Sequence, residues 1–174
     1  MALEILIPPV GEPVSLSDVR TYLRIGTQGD DALLTLIISA AREAFEARTG
    51  LALLTRRVRQ NFLGTLSPGF LIPATSPVTA VHAVKSILPS GALVDVPNET
   101  LSLIDGKFVL NRPMTDLSVE FQAGYATGVL VPHAHRLAIL EAVAEAIARR
   151  DSEGPVPTTG KKALWDQVFQ RIKL

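Results

Sequence analysis

Cysteine is absent from the 174 residues. That absence excludes disulfide frameworks, thiolate zinc sites, iron–sulfur ligation and cysteine nucleophiles. Aromatic residues make up only 5%, so Leu, Ile, Val and Ala must fill most of any core. Neither charge prevails: 17 Lys and Arg face 17 Asp and Glu, which argues against a protein that coats DNA through its overall charge. No run reaches the roughly 18 apolar residues that cross a bilayer; Glu141 and Glu145 interrupt the best candidate. Residues 1–10 carry Glu4 where a secretory signal needs basic charge, and Pro8–Pro9 end their short apolar run. A soluble, intracellularly made protein with no membrane partner is expected.

Catalytic patterns are missing too. The sequence holds no G-x-S-x-G elbow, Walker A loop, G-x-G-x-x-G turn, H-E-x-x-H pair or EF-hand loop. His133 and His135 are the one close histidine pair, but residues two apart on a helix point about 200° apart and do not share a metal. His82 falls in a strand pattern, and Asp30–Asp31 serve as a helix start. No catalytic residue, metal or cofactor is assigned, and an interaction protein is favoured over an enzyme. Arg56, Arg57 and Arg59 form the densest basic cluster before the C-terminal segment. On a strand, Arg57 and Arg59 share one face and Arg56 points to the other. They suit a solvated strand, a subunit interface or the wall of a channel.

What is present is a patterned chain with 47% hydrophobic residues, enough for a packed core. Prolines at 8, 9 and 13 predict an extended arm over 1–14. Ser15-Leu16-Ser17-Asp18 is a variant capping box opening a short helix that stops near Gly26. A second helix runs from Asp30–Asp31 to Thr49–Gly50 on a wide stripe of Leu33, Leu34, Ile37, Ile38, Ala41, Ala44 and Phe45, with Arg42, Glu43 and Glu46 outside it. Leu36, Ala40 and Ala47 extend the apolar surface to further faces. Residues 53–128 alternate as short strands separated by turn signals, of which Asp105-Gly106 is the strongest hairpin. Pro132 opens a third helix, with Glu145 and Arg149 one turn apart.

The expected fold class is α+β: a small helical bundle (helices in 15–50 and 132–150) with an inserted antiparallel β unit over 53–128. Residues 151–174 form a linker and a C-terminal amphipathic helix. There Leu164, Val168 and Ile172 stack beside Trp165 and Phe169. A helix of about eleven residues is marginal alone. Cover for its apolar face comes from its own domain or from another chain, and the Pro/Gly-rich linker at 151–160 favours the second.

Together these patterns resemble a family. Residues 13–24, PVSLSDVRTYLR, are similar to the opening of the head–tail connector (adaptor) proteins of tailed phages and phage-derived gene transfer agents. Asp30 and Asp31 followed by Leu33, Leu36, Ile37, Ala40, Ala41, Arg42, Glu46, Thr49, Gly50 and Leu53 resemble that family's second helix and its exit. Phe121-Gln122-Ala123-Gly124-Tyr125, Val131-Pro132 and a helix with Arg136, Ala138, Ile139 and Leu140 resemble its later signature. The similarity spans about residues 13–150.

The resemblance implies a virion structural protein of the phage neck, assembled in the bacterial cytoplasm. Such connectors form a ring, usually a dodecamer, beneath the portal protein. They extend the DNA channel, touch passing DNA non-specifically and carry the next neck or tail component, a stopper or tail terminator. It further implies portal docking by the C-terminal segment, through Leu164, Trp165, Val168, Phe169 and Ile172. The charges agree with that polarity: residues 1–154 balance to −3 and residues 155–174 to +3, which suits a segment aimed at an acidic surface. The competing reading is a small DNA-binding helix-turn-helix module, resting on the short-helix, long-helix order and on Arg20, Arg24, Arg42 and Arg48.

Overall fold

The computed structural model describes residues 3–26 and 31–151. The described residues divide into two compact units, a β unit from residues 3–10 and 50–126 and a helical unit from residues 11–26, 31–49 and 127–151.

In the helical unit, α1 (Leu16–Leu23) begins at the predicted capping box. The Ser15 hydroxyl accepts from the Asp18 N–H at 3.0 Å, and the Asp18 carboxylate accepts from the Ser15 N–H at 2.8 Å. Arg24, not Gly26, ends the helix, in the left-handed conformation with φ 56°. The two hydrogen bonds from Ser15 pull the Asp18 carboxyl below the usual range, and Arg136 at 3.3 Å adds to the effect. Of its stripe, α2 (Asp31–Thr49) buries Leu34, Ile38, Ala41 and Phe45, while Leu33 and Ile37 are half-buried and Ala44 is exposed. α3 (His133–Asp151) buries Ala138, Ile139, Ala142 and Val143, and α2 packs against it. His135 lies on the ring of Phe45, with centroids 5.4 Å apart.

Arg42 and Glu46 depart from the sequence expectation. Both are buried, although the stripe leaves them outside it. The guanidinium donates to Glu12 at 2.8 Å and to Glu46 at 3.0 Å, and Glu12 also accepts from the Ser39 hydroxyl at 2.7 Å. A loop carboxylate thirty residues earlier in the chain makes this burial tolerable. No local pattern reports such a partner. Burial would lower the Arg42 pKa, yet these carboxylates hold it above the usual arginine value.

The β unit holds two antiparallel sheets. One has the order β1 (Leu3–Ile7), β2 (Arg56–Leu66), β8 (Met114–Ala123), β4 (Val78–Ile87), β5 (Leu93–Asp95). The other has the order β3 (Gly69–Leu71), β7 (Lys107–Leu110), β6 (Leu101–Ile104). Register pairs Val58 with Phe121 and Gln60 with Val119. Val58, Phe121 and Val119 join Phe62, Leu117, Phe108, Leu110 and Leu101 in one buried cluster drawn from both sheets. Phe108 meets Phe121 edge-on at 5.0 Å and Phe62 at 6.3 Å. Asp105-Gly106 joins β6 to β7 with φ of 49° and 73°, the pair of positive values that a type I′ hairpin turn needs.

This architecture corrects the expected fold class. The described residues contain three α-helices and eight strands in two antiparallel sheets. The molecule is a β-rich fold, not a helical bundle carrying an insert. The reason is that the β residues do not lean on helices for their core: two sheets supply it to each other. Moreover, residues 3–7 of the N-terminal arm pair with β2 and so enlarge the sheet from outside the supposed insert.

Three strands of the larger sheet, β2, β4 and β8, are tied at one corner of the β unit. The Ala52 N–H donates to Ser76 O at 2.7 Å, Ser76 N–H to Gly50 O at 3.1 Å, and Gly124 N–H to Pro77 O at 2.9 Å. Thr55 N–H donates to Tyr125 O at 2.9 Å. Gly124 has φ 104°, and a Cβ there would stand 2.3 Å from the Leu54 carbonyl oxygen. Gly124→Ala is therefore expected to destabilise the chain by at least about 2 kcal/mol, read as a lower urea midpoint at unchanged slope. Burial pushes the His135 imidazole below its usual value, so the unfolded chain takes up the proton first as pH falls below about 6.5. Stability present above that pH is lost below it. The thermal midpoint should fall between about pH 7.5 and 5.5, and His135→Phe should flatten that fall.

Candidate assembly surfaces

The same corner carries an apolar groove of about 690 Å3 on the β unit, lined by Leu51, Phe70, Ile72, Pro73, Pro77 and Tyr125 among others. Its construction follows from a buried polar side chain. Gln60, fully buried, donates through Nε2 to Ile72 O at 3.3 Å, and its Oε1 accepts from the Ala74 N–H at 2.7 Å. These bonds pin the segment that follows β3. Leu71 packs on the core cluster, and Phe70 and Ile72 stay 71% and 76% exposed. Lys107 sits 5.9 Å above the Phe70 ring and stands with Asp105 at the rim. The groove offers apolar contact and one cation–π pair, with no nucleophile–base pair; its chemistry is that of binding. Among the described residues no group of three or more His, Asp or Glu is placed to hold a metal.

The sequence-assigned residues fall elsewhere. Arg59 lies opposite Glu120 in the β2–β8 register and opposite Glu4 in the β1–β2 register. Its guanidinium bonds Glu120 at 2.6 Å and Glu4 at 3.1 Å. The hydrogen bonding of its guanidinium to the Glu120 carboxylate is the main reason its pKa rises above the usual value. Arg57 stands opposite Gln122 and Ile7, and Arg56 opposite buried Ala123. Arg57 and Arg59 thus share a face that Arg56 does not, and none of the three lines the groove. Leu164, Trp165, Val168, Phe169 and Ile172 lie outside the described residues, as do Asp30 and the linker after Asp151. His133 lines a small hollow with Asp18, Tyr22 and Arg136, and His135 packs on Phe45.

The helix-turn-helix reading loses its charge pattern. Arg42 is buried against Glu12 and Glu46, and Arg20 is paired with Asp31. Neither is offered to a phosphate. The groove residues Phe70, Ile72 and Tyr125 were not singled out as a site by sequence reasoning. One signal was available: Phe70-Leu71-Ile72 is apolar at three consecutive positions, where a half-buried strand alternates. Gln60→Ala should cost about 2–4 kcal/mol in urea unfolding, because it leaves the Ile72 carbonyl and Ala74 N–H without this partner and opens a cavity.

No helix among the described residues is long and apolar enough to cross a membrane. No curated protein matches the sequence. The fold is shared with solved chains. One, in a structure of the neck of an empty gene transfer agent particle computed with C6 symmetry, aligns at a TM-score of 0.76 and 22% identity over 97% of this chain and 95% of that one. A chain from the virion of a native gene transfer agent particle aligns at 0.74 and 22% over 96% and 94%. Another, from the neck of a native particle computed with C12 symmetry, aligns at 0.74 and 20% over 97% and 94%. The model of the phage gp6-like head-tail connector protein family matches residues 13–88. Over that segment, less than half of the chain, the sequence is similar to the head–tail connector family.

Proposed function

We propose that this chain is the structural connector of a phage or gene-transfer-agent neck, a non-enzymatic subunit that forms a ring, twelve-fold by preference, beneath the portal protein. The carrying observation is the alignment of nearly the whole chain with chains from such necks, joined to the family match over residues 13–88. Rings of this kind grow through heterologous contacts, in which one face of a subunit meets a different face of the next. The ring extends the DNA channel and presents a platform to the downstream stopper or tail terminator. Arg56, Arg57 and Arg59 are the residues offered to passing DNA. Because Arg59 brings Glu4 and Glu120 with it, that contact is weak and independent of sequence. The subunit works in the particle neck after assembly in the bacterial cytoplasm.

Portal docking is assigned to the C-terminal segment. Leu164, Trp165, Val168, Phe169 and Ile172 supply the aromatic and aliphatic anchors that dominate such interfaces. The net +3 of residues 155–174 steers them toward an acidic surface. Deleting residues 155–174 is expected to abolish capture by the portal protein in a pull-down and to leave the thermal midpoint unchanged. Retained capture would overturn the docking role. A lowered midpoint would instead mean that the segment packs on its own domain.

A further inference from the structure

Two apolar features of the β unit are left uncovered by the described residues. The first is the groove at Phe70, Ile72, Pro73, Pro77 and Tyr125. The second is the segment Ile7-Pro8-Pro9-Val10 that leaves the edge strand β1. Val10 is 93% exposed, the highest value among the exposed large hydrophobic residues, and Ile7 is 52% exposed. Two adjacent prolines hold this segment extended with no internal hydrogen bonds, so it loses little conformational freedom on docking. Grooves lined by aromatic and proline rings are the usual receptors for such segments. Four residues in that conformation span roughly 12 Å at 3.1 Å each. A groove of about 690 Å3 accommodates a ligand of that size.

We propose that Ile7–Val10 of one copy docks in the Phe70–Ile72–Tyr125 groove of the next copy, and that this is a subunit contact of the ring. The occupant is a second copy because the described residues of one copy leave both its segment and its groove exposed. Each copy carries one donor and one acceptor at different places on one unit. That is the condition for a head-to-tail contact that closes into a ring, and an isologous dimer does not need it. Phe70, Ile72 and Val10 then act as the anchors, with Lys107 covering the edge of the Phe70 ring. This assignment rests on the ring reading given above.

The natural absence of cysteine makes the test clean. In the full-length chain, the double variant Val10→Cys with Ile72→Cys should give, after mild oxidation, a ladder of covalent oligomers beyond the dimer. Each single variant should stop at the dimer. A control pair, Val10→Cys with Leu36→Cys, uses a residue 66% exposed on α2 and should give no such ladder. Light scattering of the same samples reports whether rings form. Oligomers without the ladder, or with an equal ladder from the control pair, would overturn the contact and leave the ring reading standing. If the chain stays monomeric, a synthetic peptide of residues 4–13 is titrated into it. Chemical-shift changes at Phe70, Ile72 and Tyr125, weakened at least about tenfold by Phe70→Ser, would support the contact while the ring reading fails. Absence of binding at millimolar peptide would overturn it, as would shifts centred elsewhere.

Discussion

The β unit depends on the close approach of Gly124 to the carbonyl of Leu54. At that corner the entry to β2, the turn before β4 and the exit from β8 are joined by backbone hydrogen bonds of 2.7 to 3.1 Å. β8 runs between β2 and β4 in the five-stranded sheet, so its exit fixes where both neighbours begin. Any side chain at position 124 would separate the segments and shift the register that puts Val58, Val119 and Phe121 on the core face. The groove inherits its shape from this constraint, because Leu51, Pro77 and Tyr125 belong to the corner segments themselves. Rigidity and the binding surface therefore have a single origin.

Charge is handled differently in the helical unit. Arg42, Glu46 and Glu12 are removed from water together, and each guanidinium or carboxylate group finds a partner. A buried ion network is weak evidence for net stability, since desolvation offsets much of the Coulombic gain. Its value lies in geometry. Glu12 accepts from both Ser39 and Arg42, and so the loop before α1 is held to the middle of α2 at one position along the helix. Apolar contacts alone would tolerate sliding by a turn.

Much of the secondary structure was legible in the sequence because its signals are local. The capping box at Ser15–Asp18 and the Asp105-Gly106 hairpin each act within a few residues and both are present, and four of the seven stripe residues of α2 are buried. β4, β6 and β7 coincide with the runs read as Val78–Ile87, Leu101–Ile104 and Lys107–Leu110. The balance between helices and sheets was misread because it depends on pairing at long range. Residues 3–7 read as an arm until β2 supplies a partner more than fifty residues away. Arg42 reads as a surface charge for the same reason, and the alternation of β2 places Gln60 on the face of Val58 and Phe62 without saying what its amide bonds. Their partners, Glu12 and the backbone at Ile72 and Ala74, have no signature that a window of sequence can hold.

Assembly explains the surface better than solubility does. A free-standing domain guards against association with net charge and with polar cover over sheet faces and edges. Here the net charge is zero. The small sheet is apolar on both sides, with Leu71, Phe108 and Leu110 inward and Phe70 and Ile104 exposed at 71% and 52%. Sheets with two apolar faces belong where both are covered. The described residues leave the second open. The ring contact proposed above would cover part of that face, and a neutral total charge leaves no net repulsion between copies to oppose their approach.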